Sequence, residues 1–255
     1  MPPLYAGFKT RALPSCPSSY GGACQNRTGA VDVLQTSALP LRQRTGSFQF
    51  YFKLVIFTIR NVIIYYYMNK TILLVTFLLV KSIYLPLNKR KSKYYWKIKF
   101  DDSIPFIPIF IIPYLGYFIF IISTIILLWN TKYINNFFIT YIISYILSGL
   151  FWYFVPNGVK RPVIVKKDIF SRLTRIIFKY DNDTNGFPSA HIFATLICSY
   201  FLYFAFPENL LVNLSVTFLI SISTVFVKQH YVLDILGGII FFWLSIMLSG
   251  FFLII

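Results

Sequence analysis

Six apolar runs, each close to the length that crosses a bilayer, occupy most of the chain after residue 68: about 71–87, 104–129, 134–155, 190–206, 210–227 and 231–254. A helix rises about 1.5 Å per residue, so crossing a hydrocarbon layer roughly 30 Å thick takes about 20 apolar residues. Open strands would leave backbone groups unpaired in lipid, and no ten-residue alternation marks the strands of a barrel. The pattern therefore predicts an all-α integral membrane protein, a six-helix bundle. Composition supports this: 57% of residues are hydrophobic and 13% charged, against about 25% charged in soluble domains. The net charge is +16, but so apolar a chain has no solvated basic face for a nucleic acid. The basic residues are expected to flank spans or to meet lipid headgroups and anionic substrates. The second run carries Pro105, Pro108 and Pro113, which predicts an interfacial or kinked beginning.

The first 48 residues differ in kind, being rich in Gly, Pro, Ser, Arg and Gln, with no signal-peptide hydrophobic region. Residues 49–67 are Phe-, Ile- and Tyr-rich yet contain Lys53 and Arg60. Met68-Asn69-Lys70-Thr71 then precedes an apolar run in the manner of a natural start, a short basic head before a span. Two domains are expected: an atypical extension, 1–67, and a six-span membrane domain, 68–255. The extension reads either as a start-site misassignment or as a disordered tail with an imperfect extra span. Cys16 and Cys24 could pair outside the cell, whereas Cys198 sits in an apolar run as inert packing.

Two polar connections are strongly basic. Residues 88–103 hold Lys89, Arg90, Lys91, Lys93, Lys97 and Lys99; residues 156–189 hold Lys160, Arg161, Lys166, Lys167, Arg172, Arg175 and Lys179. Within the second, Ile169, Phe170, Leu173, Ile176 and Ile177 recur at helical spacing and predict a surface helix near 167–179. Counting six crossings puts 88–103, 156–189 and the 228–230 turn on one membrane face.

The chain's two histidines both fall on that face: His191 closes Phe187-Pro188-Ser189-Ala190-His191, and His230 opens His230-Tyr231-Val232-Leu233-Asp234. His230 and Asp234 are four apart, one helical turn. A carboxylate there accepts from one ring nitrogen, fixes the tautomer and leaves the other nitrogen free to attack. An aspartate inside an apolar helix costs about 2.5–3.5 kcal/mol on insertion scales, so Asp234 needs a partner, and His230 is the nearest. Ser189 is placed as an N-cap before His191, where first-turn amides attract anions. His191 can then donate a proton to a leaving oxygen, while Lys160 and Arg161 supply positive charge to phosphate. The bland alternative makes each histidine structural and the Lys160-Arg161 pair a topology anchor. A metal site built from His191, His230 and Asp234 is the rival chemistry, opposed by the nearby Lys160, Arg161 and Lys228.

At these residues the chain resembles the type 2 phosphatidic acid phosphatase superfamily, which also includes vanadium haloperoxidases. That family shows Lys-x6-Arg-Pro, Pro-Ser-Gly-His and Ser-Arg-x5-His-x3-Asp. Here the second block reads Pro188-Ser189-Ala190-His191, and the third reads Ser223-Thr224, five residues, His230, three residues, Asp234. Of the first, Arg161-Pro162 is present but residue 154 is Phe. Asp102-x2-Pro105-Phe106-x-Pro108 and Pro113-Tyr114 also resemble the second-span pattern of some members. The resemblance covers about residues 100–245.

The resemblance implies a membrane phosphatase acting on lipid phosphates, either phosphatidic acid-like or polyprenyl diphosphate. It assigns His230 as the nucleophile of a phospho-histidine intermediate, Asp234 as its orienting group and His191 as the proton donor. Ser189 and Arg161 would hold phosphate oxygens, and neither metal nor cofactor is implied. Thr224 stands where the family has arginine; Lys228, four residues on and on the same helical face, would restore that charge, and Lys160 the missing first-block lysine. Lys228-Gln229-His230-Tyr231 with Thr224 is similar to the inositol-phosphorylceramide synthase-like subgroup, which implies a phospholipid headgroup transferase as the alternative. A non-catalytic transport or scaffold protein is the third reading. The basic loops point to a cytoplasmic site by the positive-inside rule; the resemblance implies an extracytoplasmic site, in the plasma membrane.

Overall fold

The computed structural model describes residues 69–254, with side chains to residue 250. The readings made for residues 1–67, including the start at Met68 and the Cys16–Cys24 pair, lie outside the described residues. Within them every regular element is helical, apart from two isolated bridges. The order is α1 Lys70–Ser82, α2 Tyr84–Asn88, α3 Lys99–Ser103, a 3₁₀ turn Pro108–Phe110, α4 Ile111–Leu128, α5 Ile134–Phe154, α6 Ile169–Tyr180, α7 Ala190–Ala205, a 3₁₀ turn Pro207–Asn209, α8 Leu210–Phe226 and α9 Val232–Ile254.

Five of the described helical stretches are long and apolar enough to cross a membrane: Lys70–Asn88, Pro108–Leu128, Ile134–Phe154, Pro207–Phe226 and Val232–Gly250. The chain is a helical, multi-pass membrane protein. The sixth expected run forms α7, which has 16 residues, about 24 Å of helix and short of a full hydrocarbon layer. The proline-rich run does begin irregularly: Pro108 starts the 3₁₀ turn and Pro113 falls in the first turn of α4, where no amide proton is needed. The surface helix forms as α6, N-capped by Asp168, whose carboxylate accepts from the Ser171 amide at 2.9 Å. The Ser171 hydroxyl, which donates to the same carboxylate at 2.6 Å, and then that amide hold the Asp168 carboxyl below the usual aspartate range.

α5 is the central post, packing on α1, α7 and α9. Phe137, Phe138, Tyr141, Ile142 and Trp152 on it are all buried, and Tyr141 meets Phe77 of α1 edge-on at 4.9 Å. Its Thr140, Ser144 and Ser148 are also buried, a helical row of small polar residues that lets neighbours approach. Thr140 donates to Ser249 of α9 at 3.0 Å, and Ser199 of α7 bonds Thr217 of α8 at 2.6 Å. Cys198 lies fully buried in α7, in keeping with a packing role.

α9 approaches the start of α7 through Gly237-Gly238. A Cβ at Gly238 would stand 2.5 Å from Ile192 Cβ and 3.0 Å from the Ser189 carbonyl oxygen. Gly238→Ala is therefore expected to push the two helices apart, costing about 1–3 kcal/mol and lowering the melting temperature. Gly116→Ala, where nothing lies within 4 Å, is the control and should melt as wild type does.

Candidate active site

The three connections expected on one face meet there. The Lys93 amide donates to Pro156 O at 2.7 Å and the Gly158 amide to Tyr94 O at 2.8 Å. The Asn88 side-chain amide donates to Thr184 O at 3.0 Å. Across this face the Val232 amide, at the first turn of α9, donates to the Asp101 carboxylate at 2.9 Å. Asp101 is buried and also accepts from the Ile98 amide at 2.8 Å, so it pins the helix that carries Asp234 to the α3 segment.

Each histidine is held by the end of a helix. His191 is the second residue of α7, and its ring packs against Tyr114 and Tyr117 of α4 with centroids 4.7 and 4.5 Å away. Residues 227–230 wrap the end of α8, where the Gln229 and His230 amides both donate to Thr224 O, at 2.9 and 3.1 Å. That wrap delivers His230 to His191: His191 Nδ1 lies 3.2 Å from His230 Nε2. Behind it, His230 Nδ1 faces Asp234 Oδ2 at 3.4 Å, a loose contact. The same Oδ2 accepts from the Tyr231 amide at 2.8 Å. Asp234 sits in the first turn of α9, where the helix dipole favours a carboxylate.

An ionised Asp234 only accepts, so the proton of His230 resides on Nδ1 and Nε2 keeps its lone pair. His191 Nδ1 is then the donor toward His230 Nε2. Ser189 is tied to this row through its amide, which donates to Asp234 O at 3.1 Å. It occupies the N-cap position of α7 as expected, but its hydroxyl makes no cap bond. The Ser189 Oγ is buried without a hydrogen-bond partner. Among the described residues no group of three or more His, Cys, Asp or Glu side chains is arranged to hold a metal ion; Asp234, His230 and His191 form a row rather than converge.

Residues 133–251 match the model of the PAP2 superfamily. That segment belongs to the PAP2 superfamily. No curated protein and no solved structure matches the chain. The matched segment contains both histidines and Asp234, and the superfamily assignment supports an enzyme of phosphatase type acting on phosphate esters.

The cations expected to serve phosphate make other contacts. Arg161 donates to the carbonyls of Phe178 at 3.3 Å, Asn182 at 2.7 Å and Asp181. It also bonds the Gln229 side chain and pairs with the Asp181 carboxylate at 3.6 Å. Its two terminal nitrogens thus close the C-terminal end of α6, and only Nε is without a partner. Lys160 donates its backbone amide to the Tyr231 hydroxyl at 2.9 Å, and its ammonium rests over the Tyr95 ring at 5.5 Å.

Lys228 is not on a helical face with Thr224. α8 ends at Phe226 and Lys228 has φ 58°, a left-handed conformation usual after a helix end and costly for a residue with a Cβ. Its ammonium donates to the carbonyls of Asp101 at 3.2 Å and Ile104 at 2.5 Å, so it braces the α8 end against α3. Burial pulls its pKa below the usual lysine range.

The structure adds groups that the motifs do not name. Beside His191 lies a cavity of about 440 Å³ whose lining includes Lys81, Tyr84, Tyr114, Tyr117, Asp181 and His191. Asp181 accepts from the Tyr84 hydroxyl at 2.8 Å. Burial pushes its carboxyl up, against the opposing effects of the Tyr84 bond and Arg161. Of these, Lys81 carries a signal readable from sequence, since a charge inside an apolar span is costly and marks function by default.

Proposed function

We propose that this PAP2 chain is a membrane-embedded phosphatase that hydrolyses lipid phosphates, phosphatidic acid-like or polyprenyl diphosphate, through a phospho-histidine intermediate. The row Asp234–His230–His191, with contacts of 3.4 and 3.2 Å, carries the reading. It supplies an oriented nucleophile and, next to it, a proton donor.

In the first step the His230 Nε2 lone pair attacks phosphorus. The bond to the leaving lipid oxygen breaks, and His191, entering the step as the imidazolium beside the phosphate anion, passes its Nδ1 proton to that oxygen and becomes neutral. Asp234 stabilises the charge that His230 acquires, and Ser189 Oγ bonds a phosphate oxygen. In the second step neutral His191 takes a proton from water. The resulting oxygen attacks phosphorus, the N–P bond breaks, and phosphate departs with His230 restored. Arg161 and Lys228 serve as positioning residues in this scheme: Arg161 holds Gln229, next to the nucleophile, and Lys228 braces the turn from which His230 projects.

A lipid alcohol in place of water in the second step gives a headgroup transferase, the reading favoured by Thr224 in the family's arginine position. Purified protein tests both. Supplied with phosphatidic acid and a polyprenyl diphosphate, it should release inorganic phosphate, equally with and without a chelator. A new headgroup lipid in place of phosphate, when phospholipid donor and lipid alcohol are supplied, selects the transferase. No product from either assay refutes the phosphoryl-transfer reading, and loss of activity to chelator revives the metal rival.

Six crossings are part of the proposal, with α7 as the short one, and the site faces the extracytoplasmic side of the plasma membrane. Val165, in the basic connection, is 82% exposed. A Val165→Cys variant lacking Cys16 and Cys24 should react with an impermeant maleimide in intact cells. Labelling only after permeabilisation would put the site on the cytoplasmic face.

A further inference from the structure

The expected phosphate cations leave a gap. Position 224 is threonine, Arg161 closes α6 with both terminal nitrogens, Lys228 braces α3, and the Lys160 ammonium rests over the Tyr95 ring, outside the cavity lining. A phosphate that reaches His191 still needs a counter-charge. Lys81 is the remaining cation lining the cavity beside His191.

Lys81 is in the last turn of α1, within the span Lys70–Asn88. A lysine there would ordinarily extend along the helix to reach the interface. This one turns inward: its ammonium lies 5.7 Å from the Phe77 ring centroid and 5.9 Å from that of Tyr117, both buried residues. Among the described residues no carboxylate or hydrogen-bond acceptor pairs with it. The Tyr117 ring that faces Lys81 also packs on His191 at 4.5 Å, so the ammonium and the imidazole flank one aromatic ring.

The cavity has a second chemistry on its outer side. Leu78 and Leu85 of the first span and Phe118 of α4 line it and are exposed, on helices whose outer faces meet lipid. A volume of about 440 Å³ falls in the range of small-molecule sites, roughly 300–1,000 Å³. That suits a headgroup and the first part of a chain, with the remainder left in the bilayer. The one carboxylate in the lining, Asp181, is countered by Arg161 and the Tyr84 hydroxyl.

We propose that this cavity is a lateral binding site for a membrane lipid with a terminal phosphate, and that Lys81 is the cation that contacts that phosphate. The proposal rests on the phosphatase reading for what happens next, but the binding it describes can be measured without turnover. Lys81 then sets specificity for anionic over neutral lipids, and the Leu78, Leu85 and Phe118 wall takes the chain.

The test uses the full chain in neutral phosphatidylcholine nanodiscs, as wild type, Lys81→Met and Lys81→Arg. The probes are a non-hydrolysable diacyl phosphonic acid, the carbon–phosphorus analogue of phosphatidic acid, the matching neutral diacylglycerol and inorganic phosphate, with binding followed by native mass spectrometry. Methionine is apolar and suits a span, so the variant should insert and melt as wild type does. Lys81→Met should weaken phosphonate-lipid binding about tenfold or more, Lys81→Arg should keep most of it, and neither should change diacylglycerol binding. Equal phosphonate-lipid affinity in wild type and Lys81→Met overturns the assignment. Lys81-dependent binding of inorganic phosphate as tight as that of the lipid overturns the lipid as occupant. A wild type that binds the phosphonate lipid through Lys81 yet releases no phosphate from phosphatidic acid supports the site and refutes only the phosphatase reading.

Discussion

Replacing His230 by alanine is expected to lower lipid-phosphate hydrolysis at least about a thousandfold, since the variant has no group to carry the phosphoryl intermediate. The fold should survive the change. His230 is placed by its backbone, through the amide bond to Thr224 O at 3.1 Å, and among the described residues its ring nitrogens contact only His191 and Asp234. Activity assays beside a thermal melt check this. A melt like that of wild type with activity lost is the expected pair of results, and unchanged activity would refute the nucleophile assignment.

Asp234→Asn is expected to cost about 10³–10⁴-fold in turnover, the scale seen when an orienting carboxylate becomes an amide in a catalytic triad. Oδ2 of Asp234 serves both the Tyr231 amide at 2.8 Å and His230 Nδ1 at 3.4 Å. An asparagine with its oxygen at that position keeps both contacts and the turn into α9, but lacks the negative charge that stabilises the phosphorylated imidazole. With its NH₂ there it gives up the Tyr231 bond and favours the tautomer protonated on Nε2, which has no lone pair to attack. A melt like that of wild type beside lost turnover is the expected pair of results, and a folded variant with full activity would contradict the role given to Asp234.

The length and hydropathy of the six runs, and the His-x3-Asp spacing, were legible because both depend on local sequence. Run length maps directly to span length, and four residues make one helical turn. What failed to show was set by contacts distant in the chain. The helical-face argument for Lys228 assumed that α8 continues, whereas α8 ends at Phe226 and Lys228 turns left-handed to reach Asp101 and Ile104. Arg161 carries the right charge for phosphate, but the end of α6 folds back and takes its terminal nitrogens, a closure spanning up to 21 residues that no motif encodes. Asp101 and Asp102 are adjacent and alike in sequence. Only the phase of α3 buries Asp101 against α9 and leaves Asp102 exposed beside Lys97. The close approach at Gly237-Gly238 was likewise silent, because glycine in an apolar helix carries no mark of what packs on it.

The central claim is that His230 becomes phosphorylated during turnover. A lipid phosphate ester with a good leaving group needs little protonation, so His191→Ala should still transfer its phosphoryl group to His230 but release it slowly for want of a base. Rapid alkaline quenching of that variant with ³²P-labelled substrate, followed by peptide mapping, is the direct measurement. The account predicts an acid-labile, alkali-stable label on the peptide containing His230. Label on another residue, or turnover in wild type with no label on any residue of either protein, would contradict it.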